Sequence, residues 1–261
     1  MAHTTVNAFA KLNLILNIKG KRPDGYHEIE TVFQAIDLCD VVEMEHSEKD
    51  SFEFLPSGKY MPEFSEKDNL ALKSLKRARE VFGKEDEHFH IAIEKNIPVA
   101  GGLGGGSADG AGVLSALARI WGLSGEDMEK MYDIAAELGS DVPFCLASQN
   151  GHSCAIGRGR GEKMEFIEPV KGRLSIYISD FHMKSKTAAV YKALIPEDYL
   201  IQYDIDAFVK AKTLKEKIKY MGNHLQPAME RLSGRKEDML LCGAGPTYFR
   251  FDKTGEYKTI S

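Results

Sequence analysis

Between residues 101 and 106 the chain carries five glycines, interrupted only by Leu103. Just before them, His90-Ile91-Ala92-Ile93 reads as a short strand. Just after them, Val113, Leu114, Leu117, Ala118 and Trp121 recur at helical spacing up to Gly122. A flexible linker would not sit between a strand and an amphipathic helix. Glycine allows positive φ and lets the backbone come close to a partner, and a helix start presents unpaired N–H groups with a dipole that favours anions. Strand, glycine loop and helix together therefore read as a phosphate cradle. It is not a P-loop, because no Gly-Lys-Ser or Gly-Lys-Thr ends it, and no ribose-binding acid in a βαβ unit supports a dinucleotide reading of Gly102 onward. Nor does it stand near the N-terminus with the strand lysine and His-Arg-Asp set of a protein kinase.

The rest of the chain is mixed. Residues 6–19, 31–36, 41–45 and 51–55 read as strands, with the turn signal Arg22-Pro23-Asp24-Gly25 after the first. A helix is predicted over 69–82, and Ser107 is the expected cap of the helix that follows the glycines. A further helix is predicted over 124–138, short strands around 154–156 and 174–178, and helices over 187–194 and 205–219. The fold class expected is α+β, with 158–161 and 169–172 as candidate linkers. The length of 261 residues suffices for one large domain or two modest ones. A net charge of -5 offers no general attraction for nucleic acid, so any phosphate binding must be local. Cys39, Cys145, Cys154 and Cys242 form no C-x-x-C pair and read as free buried thiols. With no signal-peptide pattern and no apolar stretch of membrane-spanning length, a cytoplasmic protein is expected.

Four segments in order carry a resemblance. Pro98 through Asp109 resembles the second motif of the GHMP kinases, named for galacto-, homoserine, mevalonate and phosphomevalonate kinases. Ala8-Phe9-Ala10-Lys11-Leu12-Asn13-Leu14 is similar to the opening strand of that family, and Leu138-Gly139-Ser140-Asp141-Val142-Pro143-Phe144 to its Gly-Ala-Asp-Val-Pro-Phe segment. Arg22-Pro23-Asp24-Gly25-Tyr26-His27-Glu28-Ile29 resembles the segment typical of the branch that phosphorylates a cytidyl-linked methylerythritol. Near the C-terminus Gly243-Ala244-Gly245-Pro246 occupies the place of the family's third, glycine-rich turn, although Pro246 removes a backbone donor there.

The resemblance implies a two-lobed GHMP kinase fold, with a ribosomal-protein-S5-like N-terminal lobe and a ferredoxin-like C-terminal lobe. Residues 1–157 would form the ATP-binding lobe with the catalytic residues, and 158–261 the substrate-side lobe. It implies transfer of the γ-phosphoryl of ATP, with Mg2+, to the 2-hydroxyl of the cytidyl-linked substrate, a small-molecule partner, by a monomer or homodimer without nucleic acid or membrane. Asp141 would accept the hydroxyl proton, and Lys11 would keep that carboxylate ionised. Pro98, Gly101, Gly102, Leu103, Gly104, Gly105, Gly106 and Ser107 would hold the nucleotide, with Ser107 placed for a phosphate oxygen or the metal. Tyr26 would be one stacking wall for the cytosine, His27 the reader of its polar edge, and Asn13 a contact to the polar tail. The second aromatic wall falls at Tyr191, which would otherwise simply pack on its helix. Gly243 and Gly245 would complete the glycine-rich turn. Two alternatives stay open: another GHMP small-molecule kinase of the mevalonate or homoserine type, and a non-catalytic nucleotide sensor that kept the loop.

Overall fold

A computed structural model describes residues 3–63, 65–181 and 186–260 of the chain. Two long strands, β1 (His3–Lys21) and β2 (His27–His46), each contribute to both of two compact units. The first unit takes in the described parts of Met1–Ala10, Leu38–Val99 and Gly104–His152, and the second Lys11–Asp37, Ala100–Leu103 and the described parts of Ser153–Ser261.

In the first unit, β4 (Phe89–Glu94) runs antiparallel to β2, with Val42 opposite Ile93, and β3 (Ser51–Phe54) runs parallel to β4. The helices are α1 (Leu70–Phe82), α2 (Gly105–Trp121), α3 (Glu126–Leu138) and α4 (Val142–Gln149), and α2 packs against the other three. Burial of α2 on nearly every side from Ala108 to Ala118 follows from its composition of small and apolar residues. Two of its glycines make that approach feasible. A Cβ on Gly110 would lie 3.0 Å from Ser74 Oγ on α1, and one on Gly112 would lie 2.7 Å from Val42 Cγ2 on β2.

In the second unit, β5 (Cys154–Gly159) pairs antiparallel with the first part of β2 and with β6 (Lys163–Phe166). The two-residue β8 (Gly222–Asn223) runs parallel to β1, with Ile15 opposite Gly222. A separate antiparallel sheet has the order β11 (Tyr257–Lys258), β7 (Arg173–Ile178), β10 (Thr247–Phe251), β9 (Leu240–Leu241). The helices α5 (Lys186–Lys192), α6 (Ile205–Lys210), α7 (Leu214–Lys217) and α8 (Gln226–Ser233) complete the unit. One core cluster joins Leu16, Ile18, Ile29, Val190, Leu225, Met229, Leu241 and Tyr248.

The structure departs from the sequence-based elements at specific places. Asp37 and Asp40 do not break the strand between 36 and 41, because Asp40 is buried with its charge met by Lys95 and by backbone amides. The helix expected over 205–219 is interrupted: Thr213 and Glu216 form a reciprocal capping box that starts α7 afresh. Residues 158–161 are no linker, since Arg158 and Gly159 belong to β5 and the chain turns directly into β6. The expected division at 157/158 falls inside the same strand. Ser107 does not cap α2; the helix begins at Gly105 and its N-cap is Gly104, at φ 77°. Replacing Gly112 by valine would drive side-chain atoms into Val42, and an overpacking loss of about 1–3 kcal/mol in unfolding free energy is expected. Urea titration read by circular dichroism measures it; an unchanged midpoint and slope would show that α2 does not press on β2.

Candidate active site

The glycine-rich loop is shaped by residues whose backbone goes where side chains are disfavoured. Ala100, Gly102 and Gly104 have φ of 55°, 83° and 77°. Ala108 makes the bond back to the Gly104 carbonyl, at 2.8 Å, so the amides of Gly105, Gly106 and Ser107 at the helix start have no partner within the helix. Pro98 and Leu103 are buried and anchor the loop, while Gly106 is exposed.

The second unit brings the two distant glycine motifs together. A Cβ on Gly102 would stand 2.2 Å from the Cys242 carbonyl oxygen and 3.0 Å from the Gly245 amide nitrogen, so the two backbones are in direct contact. Gly243 and Gly245 take φ of 51° and 71°, and the Thr247 amide donates to the Gly101 carbonyl at 3.3 Å. The Lys11 amide donates to the Leu103 carbonyl at 2.9 Å, which ties β1 to the same loop. Asn223 donates to the carbonyls of Leu241 and Gly243, at 2.9 and 2.8 Å, and so holds the second glycine turn from below.

Beside Gly243 lie the Lys11 ammonium and the Asn13 amide oxygen, 3.4 and 3.5 Å from the place a Cβ would occupy. Lys11 donates to Asn13 Oδ1 at 2.8 Å, Asn13 Nδ2 to Thr31 Oγ1 at 2.8 Å, and Thr31 to the Ile15 carbonyl at 2.6 Å. This chain of buried side chains fixes the direction of the lysine. Burial pushes the neighbouring Cys242 thiol well above its ordinary range, with Lys11 pulling the other way, so it stays protonated and inert. Lys186 donates to the Ala100 carbonyl, and burial lowers its ammonium to about 8.

Among the predicted aromatics, His27 and Tyr191 stack, with ring centroids 5.0 Å apart and 29° between planes. Burial, with Lys21 adding to it, holds the His27 imidazole below its usual range, so it is neutral at pH 7. Tyr191 also packs on the core cluster. Tyr26 is 59% exposed, at the tip of a turn fixed by the bond from its amide to Asp24 Oδ1, and the Arg160 guanidinium lies 5.5 Å from its ring centroid. Asp141 belongs to the first unit, whereas Lys11 belongs to the second. It occupies the N-cap position of α4 without making a side-chain capping bond.

Residues 69–149 match the GHMP kinases N terminal domain. The chain is 35% identical over 259 residues to the 4-diphosphocytidyl-2-C-methyl-D-erythritol kinase of Bacillus cytotoxicus, a match covering 94% of this chain and 86% of the relative. It belongs to the GHMP kinases. The Geobacillus relative of the same name is 33% identical over 261 residues, with the same coverage. A crystal structure of 4-(cytidine 5'-diphospho)-2C-methyl-D-erythritol kinase superposes with a TM-score of 0.74 at 29% identity, covering 97% of this chain and 91% of that one. The mevalonate kinase of Methanococcus jannaschii shares the fold, with a TM-score of 0.64 at 15% identity over 100% of this chain and 99% of its own.

The chain is thus a small-molecule kinase of α+β fold. Sequence reasoning missed Thr31, Asn223 and the cluster of Asp40, Lys95 and Asp109 in this kinase. Lys95 bonds Asp40 Oδ2 and, at 2.6 Å, Asp109 Oδ2, and all three are buried. A lysine directly following a strand and an aspartate inside a glycine-rich helix start were the visible signals. Burial raises the Asp109 carboxyl from 3.8 to about 8; Lys95 lowers it, and Asp40 reinforces the rise.

Two outcomes follow from this geometry. Gly102→Ala places a methyl group on the Cys242 carbonyl at a left-handed φ, and a displacement of the loop by about 1 Å should cost on the order of 10²-fold in kcat/KM; steady-state kinetics on folded variant decide it. A carboxyl whose folded pKa lies above its unfolded value contributes stability that is lost as pH rises toward the folded pKa. For Asp109 that window runs from 3.8 to about 8. The melting temperature of the wild type should therefore fall more between pH 5 and about 8 than that of Asp109→Asn, and equal falls in differential scanning fluorimetry would contradict it.

Proposed function

We propose that this kinase transfers the γ-phosphoryl of ATP to the 2-hydroxyl of 4-diphosphocytidyl-2-C-methyl-D-erythritol, a step in making isoprenoid precursors. The observation that carries the reading is the backbone contact of the two glycine motifs beside the anchored ammonium of Lys11. Backbone amides and a directed cation suit a polyphosphate, and phosphoryl transfer needs little more than positioning and charge stabilisation. The substrate is supported by the match at 35% identity to the Bacillus cytotoxicus kinase of that name. The aromatic group also suits it: the neutral His27 has one donor and one acceptor for a cytosine edge, and Tyr26 and Tyr191 offer ring faces.

In this reading Gly101 to Gly106 and Ser107 hold the phosphates, with Pro98 and Leu103 as anchors of the loop, and Gly243 and Gly245 support it. Asn13, besides directing Lys11, meets the polar tail. Asp141 accepts the hydroxyl proton, and Lys11 stabilises charge on the transferred group. Among the described residues no group of three or more His, Cys, Asp or Glu side chains could hold a metal ion. Mg2+ would arrive with ATP, held by its phosphates and the Ser107 hydroxyl, and would neutralise their charge. No helix among the described residues is long and apolar enough to cross a membrane. The cytoplasm is the compartment we propose, because both substrates are water-soluble.

ADP release is to be measured with the cytidyl-linked methylerythritol, mevalonate, homoserine and galactose as acceptors, and turnover is expected with the first alone. Turnover with another acceptor only would transfer the assignment to that kinase type; tight ATP binding without any turnover would favour a sensor. Asp141→Asn should lower kcat by about 10²–10⁴-fold with ATP affinity nearly unchanged, as removal of a general base does. Near-normal kcat in the folded variant would remove Asp141 from the chemistry.

A further inference from the structure

Lys95 and Asp109 stand at the two ends of the glycine-rich segment: Lys95 directly follows β4, and Asp109 lies in the second turn of α2. The lysine joins them, bonding Asp109 Oδ2 at 2.6 Å and Asp40 Oδ2 on the adjoining strand. Asp40 Oδ1 in turn accepts from the amides of Asn96 and Ile97, at 2.6 and 2.8 Å, so the exit of β4 is held at the same point. The start of α2 rests on this cluster, since a Cβ on Gly105 would lie 3.2 Å from Ile97 Cγ2 and 3.6 Å from Lys95 Nζ.

Stability alone does not account for such a group. Burying ions costs several kcal/mol each, and apolar side chains of similar volume commonly do as well or better. Here two carboxylates share one ammonium, and Asp109 Oδ1 is buried with no hydrogen-bond partner. What an ion pair supplies that an apolar contact does not is direction. The angle between the strand exit and the first turns of α2 decides where the amides of Gly105, Gly106 and Ser107 point, and those amides are the phosphate donors in the function proposed above.

We propose that Asp109, clamped by Lys95 and Asp40, is a positioning residue for the nucleotide: it aims the helix start that holds the phosphates, and sets ATP affinity rather than the rate of transfer. The inference rests on the ATP-dependent kinase reading.

The test compares Asp109→Leu with Asp109→Asn. Leucine has a similar volume and cuts the link while leaving the neutral pair Lys95–Asp40; asparagine keeps an oxygen that can accept from Lys95. ATP affinity is measured by calorimetry and by KM, and kcat at saturating ATP. Asp109→Leu is expected to weaken ATP about tenfold or more, with kcat and the KM of the alcohol substrate within about threefold of wild type, and Asp109→Asn to stay within about threefold throughout. A solely structural role would lower the melting temperature of the leucine variant and leave its ATP affinity unchanged, which would overturn the proposal. So would a loss confined to kcat. Should Asp109→Leu not fold, the double variant Lys95→Met, Asp109→Leu carries the same expectation, because Asp40 keeps its two amide donors. If the wild type itself binds no ATP, the kinase reading fails; if it binds ATP and the linkless variant binds equally well, only this inference fails.

Discussion

Gly102 can lie against the backbone of Cys242 and Gly245 only because none of the contacting residues places a side chain between the two segments. That contact is the constraint on which the site depends. It needs left-handed φ at Gly102, Gly243 and Gly245, which residues with a Cβ adopt at a cost. It also leaves backbone polar groups inside the protein that must find partners. They find them in Lys11, Asn223 and Thr247, which between them bond the carbonyls of Leu103, Gly243 and Gly101. Glycine loses more conformational freedom on folding than other residues, so such a loop forms only where surrounding bonds offset that loss.

Two buried ammonium groups near the loop have their directions set by hydrogen bonds. Lys11 is directed by the neutral amide of Asn13, itself held by Thr31. Lys95 instead sits between two carboxylates, and its charge is spent within the protein. A cation enclosed by aspartates suits holding chain segments at a fixed angle.

The glycine run, the strand before it and the helix after it were legible in the sequence because they rest on local rules: backbone freedom at glycine and apolar spacing at 3.6 residues per turn. The same holds for the short segments around Lys11, Tyr26-His27 and Asp141, which carried the resemblance to the GHMP kinases. Local rules failed where a distant group changed the balance. The strands expected over 31–36 and 41–45 are one, running through Asp40, whose charge Lys95 and two amides meet. Ser107 looked like a helix cap, but the glycines before it adopt helical or left-handed backbone as readily, so α2 begins earlier. The helix after residue 205 looked continuous, and the Thr213–Glu216 box restarted it.

By itself, then, the sequence determined the kind of chemistry on offer: backbone amides at a helix start for phosphate, with a lysine, an aspartate and aromatic rings in recognisable short segments. The tertiary structure alone decided which of these meet. It set Gly102 on Gly245, directed Lys11 through Asn13 to Thr31, placed His27 on Tyr191, and joined Lys95 to Asp109. The physical reason is that a residue's own backbone preferences act over a few neighbours and can be read along the chain. Desolvation and hydrogen-bond satisfaction act between segments far apart in sequence, and they have values only once the chain is folded.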